Sequence, residues 1–269
     1  MSFIEKHGKL VRELYDISNP IIKYNIDKEW YRKEGISIEH YISFEEEPLN
    51  YWLNVYNLKK IHGRKDCTYE NSIAKLLDFG LTRENNVFDK LYSYLLEDKH
   101  WHQDFSFDGI LMKTVKYPFL IRAGYWNNKN VNSFFMNRLE KIEKTIKKYG
   151  YVFEGSRKYK DQFVFEFVNQ LESLPTIYDL YAYAYYPKND TNITNRIEKI
   201  IEYILDEKYQ QIPKKAYIYD SNKKRYYAVG NVYHACMIEG RKLLYLYLLS
   251  HFKAIAIRGL MGFINLINH

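Results

Sequence analysis

At 269 residues, with 46% hydrophobic and 27% charged residues, the chain is long enough for a large core and too apolar for a disordered class. Its formal net charge of +7 permits an acidic partner, but the basic residues are scattered at 144–148, 214–215 and 223–225. No recognition motif accompanies them, so nucleic acid is not an expected partner. No apolar run reaches the ~18 residues of a spanning helix, and the amino-terminal stretch MSFIEKHGKLVREL is charged throughout, unlike a secretory signal. The two cysteines, Cys67 and Cys236, lie far apart without a CxxC partner. A cytoplasmic location, free thiols and no structural zinc site are therefore expected.

In chain order, residues 1–17 read as a helix with Ile4, Leu10, Val11, Leu14 and Ile17 on its apolar side. Ser18-Asn19-Pro20 stops it, and Pro20 restarts the chain at a first helical position. A second helix runs through Tyr31, residues 34–47 lack helical spacing and read as a loop, and 49–61 form a third helix with an aromatic face. Residues 62–66 turn the chain into the first of three similar passages.

The passages begin at Ile73, Phe119 and Asp179: an apolar helix ends at Gly80, Gly124 or Tyr185, a turn rich in Asn follows, and Val87, Val131 or Ile193 opens a second amphipathic helix. Glycine at a helix end accepts the left-handed conformation that closes it. Asn and Thr side chains cap the free N–H groups of the next helix, and in the third passage Thr191 or Asn192 is the expected cap. A hairpin of this kind buries its apolar face only by stacking on another, which predicts a repeat array. The expected equivalence of Gly80, Gly124 and Tyr185 implies that 73–96 superposes on 119–142.

Between the hairpins lie joints at 98–110, 150–161 and 207–230. The stretch 162–174 is predicted as a helix, and the apolar stretches 232–252 and 254–267 as a last helix pair. The expected fold is all-α: a ring or arc of antiparallel hairpins, with no sheet of more than two short strands. Residues 1–66 would pack on a repeat region spanning 67–269, within one structural domain.

The hairpin sequence SIAKLLDFGLTRENNVFDKLYSYLL, followed by the joint DKHWHQDFSFDG, resembles the α/α-toroid repeat of the prenyltransferase and terpenoid-cyclase family. VYHACMIEG, from Val232, resembles the tyrosine–histidine stretch of protein prenyltransferase β subunits, in which the histidine binds zinc. The resemblance covers 67–269 and implies inner and outer helices around an aromatic cavity that holds an isoprenoid chain. Departures from the family are equally plain. No DxDD or DDxxD cluster is present, and NQLESLPTIYD offers no cysteine where the zinc site would need one. The fold can thus carry over without the chemistry.

Candidate site residues follow from chemistry that stands out against its surroundings. His100, Trp101, His102, Asp104 and Asp108 form the densest polar group, suited to acid–base work or metal binding, or to a solvated loop whose aromatics pack inward. His234 and Tyr233 stand on an apolar stretch, as a ligand site or as a satisfied core pair. Arg122, between Ile121 and Ala123, must meet a carboxylate or an anionic ligand if buried. Tyr181, Tyr183, Tyr185 and Tyr186 crowd one helix end, lining a cavity or packing. Cys67 precedes a helix, where capping by Asp66 or Thr68 competes with thiol activation.

The expected catalytic candidates are therefore His234, His102 and Asp104. The expected ligand contacts are Arg122, Tyr233, Trp101 and Tyr183, in a pocket between the 98–108 joint and the helix carrying His234. No metal is expected and no cofactor is assigned. One function is binding or transformation of an apolar, isoprenoid-like small molecule, with aromatic walls able to stabilise a carbocation. The other is a non-catalytic helical scaffold for a protein or peptide partner. The load of 28 Tyr and 15 Phe fits either function, and A/T-rich coding bias explains part of it.

Overall fold

The computed structural model describes residues 3–55, 68–101, 107–151, 157–159, 162–165, 175–206, 208, 215–220 and 225–230. They are mostly helical, and they fall into two compact units, 1–95 and 96–269. The first hairpin thus groups with the amino-terminal helices, not with the two later hairpins.

In the first unit, α1 (Phe3–Ile17) forms as expected but leaves Leu10, Leu14 and Ile17 exposed. α2 (Pro20–Asn25) starts where the Asn19 side chain accepts the Ile22 N–H, and it runs into a π-turn, Ile26–Trp30. α3 (Leu49–Asn54) packs on α4 (Tyr69–Asp78), whose cap is Thr68, accepting the Asn71 N–H at 3.3 Å. α4 closes through paired bonds, Leu81 N–H to Leu76 O and Gly80 N–H to Leu77 O, with Gly80 at φ 92. This is the Schellman arrangement. A Cβ at Gly80 would stand 2.3 Å from Tyr24 Cε1, so the glycine also admits the α2 ring. Asn25 Nδ2 donates to Asp78 O at 3.1 Å. α5 (Asn86–Tyr92) completes the hairpin and buries Phe88 and Tyr92 against the Tyr69, Ile73 and Leu76 side of the core.

The second unit carries two hairpins. α6 (Phe107–Leu120) contains Pro118, which lacks an N–H and crowds the preceding turn, and the helix ends in a π-turn, Ile121–Tyr125, with Gly124 at φ 97. α7 (Lys129–Tyr149) is capped by Asn128, which accepts from Asn130 and Val131. α8 (Ile177–Tyr185) and α9 (Thr191–Leu205) form the other hairpin. The α9 cap is Asp190, accepting from Asn192 and Ile193, and this corrects the expectation of Thr191 or Asn192. A carboxylate one residue earlier reaches the same N–H groups and complements the helix dipole.

α8 ends at Tyr185 as expected, and Tyr186 follows it at φ −67 instead of the left-handed value that Gly80 and Gly124 take. The apolar α6 packs on the apolar α8, and α7 packs on α9, so like helices of the two hairpins adjoin.

Four strands correct the expectation of no sheet beyond two short strands. β1 (Arg157–Tyr159), β2 (Gln162–Phe165), β3 (Lys215–Asp220) and β4 (Arg225–Gly230) form one sheet in that order. β1–β2 and β3–β4 are antiparallel, while β2–β3 is parallel, with Val164 opposite Tyr217 and Phe165 opposite Ile218. The predicted helix over 162–174 therefore begins as a strand. Gln-Phe-Val-Phe is a β-branched and aromatic run, and KAYIYD and RYYAVG are Tyr-rich runs separated in sequence by four polar residues.

Candidate functional site

The polar chemistry of the second unit lies where α6, α7 and α8 meet. Asp179 is fully buried at the third position of α8, in a capping box with Thr176, whose N–H and Oγ1 donate to Oδ2 at 2.7 and 2.8 Å. Arg138, on α7, grips the carboxylate with both arms, Nε to Oδ1 at 2.8 Å and Nη2 to Oδ2 at 2.9 Å. The Tyr117 hydroxyl of α6 donates to Oδ1 at 2.5 Å. Burial pushes the Asp179 pKa up, but the Arg138 charge and these bonds outweigh it and hold the carboxyl below the usual range. Burial and the neighbouring carboxylate push Tyr117 well above the ordinary phenol range. A second fork, Arg196 of α9 to Glu143 of α7 at 2.8 and 2.6 Å, lies nearer the solvent. Every carboxylate oxygen of the inner cluster is engaged, so the cluster fastens helices and offers no free acid, base or anion site.

Of the expected ligand contacts, Arg122, Trp101 and Tyr183 lie among the described residues of the second unit. Arg122, in the π-turn, donates to the Tyr181 hydroxyl, and its guanidinium lies 4.8 Å from the centroid of the Tyr185 ring. Trp101 packs on Phe134 at 5.7 Å and beneath Lys116, whose Nζ is 5.3 Å from the Trp101 ring. Tyr183 is 1% exposed, edge-on to Phe135 at 6.1 Å, and its hydroxyl meets no partner among the described residues. The aromatic partners of Arg122 and of Trp101 named here share no residue, and Tyr183 belongs to the core. His102, Asp104, Tyr233 and His234 lie outside the described residues, as do Cys67, Cys236 and the side chain of Asp108. Among the described residues, no three His, Cys, Asp or Glu side chains gather as a metal would need.

Sequence reasoning passed over Asp179, Arg138 and Lys116. Thr176-x-x-Asp179 was visible as a capping box, and Arg138 interrupts the face of Val131, Phe135 and Ile142 as conspicuously as Arg122 interrupts its own. Lys116 is 3% exposed, and its Nζ donates to His100 O at 3.0 Å. Burial first, and Lys113 second, lower its pKa to about 8. His100 is also lowered, by burial and then by Lys116.

An open cleft of about 520 Å³ lies at the hairpin turns, with Trp126 and Tyr186 beside residues 189–193. Trp126 meets Tyr186 edge-on at 6.2 Å, and Tyr186 stacks on Phe135 at 4.2 Å and donates to Asn132 Oδ1 at 3.2 Å. The rim supplies amides, a hydroxyl and the Asp190 carboxylate. No helix among the described residues is long and apolar enough to cross a membrane. No family model, curated protein or solved structure matches the chain.

Proposed function

We propose that the hairpins of the second unit form a non-catalytic recognition scaffold for a protein or peptide segment, taken at the helix turns. The close packing among the described residues carries this reading. Where a catalytic cavity would need open polar groups, Asp179 is saturated by Arg138, Tyr117 and Thr176, and Tyr183 is enclosed. Among the described residues an open cleft lies instead at Trp126, whose ring and neighbouring amides suit an extended peptide. The test is selection of a random peptide display library on the immobilised full chain, with Trp126→Ala as comparison. Enrichment of peptides that lose at least tenfold in affinity on Trp126→Ala supports the scaffold. Failure to enrich any Trp126-dependent peptide rejects it.

One observation favours the isoprenoid reading as a second choice. The apolar helices α6 and α8 adjoin each other, and so do the amphipathic α7 and α9, an adjacency that an α/α toroid would also require. On that reading Arg122 would face the anionic end of an isoprenyl diphosphate, with His234, Tyr233, His102, Asp104 and Trp101 as further members of the site. Saturable binding of farnesyl diphosphate, weakened at least tenfold by Arg122→Ala in a chain that still melts cooperatively, would favour it over the scaffold.

A further inference from the structure

The first unit contains a carboxylate ringed by tyrosines. Asp27, in the π-turn after α2, is 1% exposed. Its Oδ2 accepts the Tyr15 hydroxyl at 3.0 Å and the Tyr41 hydroxyl at 2.5 Å. Its Oδ1 accepts no hydrogen bond that would satisfy it in the usual geometry, yet lies 2.7 Å from Lys33 Nζ. Around it, Tyr31 meets Tyr15 edge-on at 6.3 Å and Tyr24 meets Tyr41 at 5.5 Å. Ammonium groups already collect here. Lys33 Nζ is 6.0 Å and Lys23 Nζ 5.6 Å from the Tyr15 ring, and Lys28 Nζ is 5.4 Å from the Tyr24 ring.

A buried anion walled by aromatic rings selects organic cations, because the carboxylate supplies charge and the ring faces replace water around the alkyl group. Burial raises the Asp27 pKa, but Lys33, Tyr41 and Tyr15 outweigh it and hold the carboxyl below its usual range, so the anion persists at neutral pH. The present cation is a loose one. The Lys33 side chain is 51% exposed, and it follows Arg32, which holds a left-handed φ of 54. A half-exposed, rotamer-rich stem gives up its contact at little packing cost.

We propose that Asp27 and its tyrosines form a binding site for an alkylammonium group that keeps at least one N–H, and that the Lys33 ammonium is a built-in occupant which such a ligand displaces. The N–H is required because Asp27 Oδ1 offers a hydrogen-bond acceptor at the point of contact, which a fully methylated head cannot use. The site lies wholly within the first unit and does not depend on the scaffold reading of the second.

The test is chemical rescue of Lys33→Ala in the full chain. Melting is followed with methylammonium, tetramethylammonium or sodium chloride at equal ionic strength. Methylammonium is expected to raise the melting temperature of Lys33→Ala saturably, with the other two salts inert. It should bind wild type at least tenfold more weakly, because Lys33 competes, and Asp27→Asn in the same background should abolish the rescue. Equal rescue by all three salts, or none by methylammonium, overturns the proposal. Should Lys33→Ala fail to fold, Lys33→Gln keeps the stem without the charge, and the same titration decides. A free amine and a lysine side chain share this head group. Nα-acetyl-lysine methylamide acting as well as n-butylammonium would assign the site to a partner's lysine, and n-butylammonium alone would assign it to a small amine.

Discussion

Asp179→Ala is the most informative perturbation of the second unit. It removes the carboxylate that both arms of the Arg138 guanidinium, 6% exposed, grip, strips the Tyr117 hydroxyl of its acceptor and removes the capping box from α8. Breaking a buried ion pair by deleting one partner costs about 3–5 kcal/mol, and loss of a cap about 1 kcal/mol more, the two not being fully additive. A loss of roughly 4 kcal/mol is expected, which at a urea slope of about 2 kcal/mol/M moves the midpoint by about 2 M. Fluorescence reports this unit alone in a Trp30→Phe, Trp52→Phe background, since the other two tryptophans, Trp101 and Trp126, lie within it. Glu143→Ala is the internal control. It breaks a fork of similar geometry, but its partners are 34% and 24% exposed, and about 1 kcal/mol or less is expected. The pH dependence has a definite sign. The folded pKa of Asp179 is below its unfolded value of about 3.9, so its contribution is fully present above that value and is lost as pH falls through the folded pKa. The gap between wild type and Asp179→Ala should therefore narrow only in acid. Equal losses for Asp179→Ala and Glu143→Ala, or a midpoint shift below about 0.5 M for Asp179→Ala, would refute the reasoning.

Lys116 titrates in the opposite sense to an ion-paired lysine. Its folded pKa of about 8 lies below the unfolded value, so the unfolded chain binds the extra proton between about pH 8 and 10.4 and stability rises with pH through that window. Lys116→Met should stabilise the chain by roughly 2–3 kcal/mol at pH 7 and abolish that rise, as measured by urea midpoints at pH 7.5 and 9.5. Gly80→Ala should cost about 1–3 kcal/mol in the first unit, because it strains a residue at φ 92 and drives a methyl into the Tyr24 ring. Thermal melts would check this, and an unchanged melting temperature would count against it. Asp190→Ala should cost about 1 kcal/mol while Thr191→Ala costs little, a contrast readable in denaturant midpoints of the second unit.

The helical hairpins were readable from sequence because their signals are local: an apolar helix, a break, an Asn or Asp cap and a second amphipathic face. Gly80 and Gly124 both take the left-handed conformation that this grammar requires. The third break closes its helix at Tyr185 without a glycine, and the cap of the helix that follows falls one residue early, on Asp190. The sheet was missed for a different reason. QFVFEFV satisfies both a buried helix and a strand, and pairing decides between them, with 157–159 on one side and with residues more than fifty positions away on the other. At the candidate site, Arg122 was expected to meet a carboxylate or an anion, and the tyrosines that the π-turn also brings it, Tyr181 and Tyr185, carried no sequence signal for that role. Asp179 and Arg138 each carried a local signal, but they are separated by forty-one positions, and nothing local pairs them before the hairpins stack.

The parallel pairing of β2 with β3 bears on the order in which the second unit assembles. Val164 and Tyr217 are neighbours across the ladder although fifty-three residues apart, and the whole α8–α9 hairpin lies between them. Loop closure of that length disfavours early strand pairing, whereas α8 and α9 meet through a short turn and nucleate locally. Once they are folded, the hairpin shortens the effective loop and delivers β3 to β2, while β3 and β4 are only four residues apart in sequence. Pulse-labelling hydrogen exchange during refolding should thus protect α8, α9 and the β3–β4 hairpin before the β2–β3 ladder. A substitution that slows hairpin formation, such as Asp190→Ala, should delay the ladder with it.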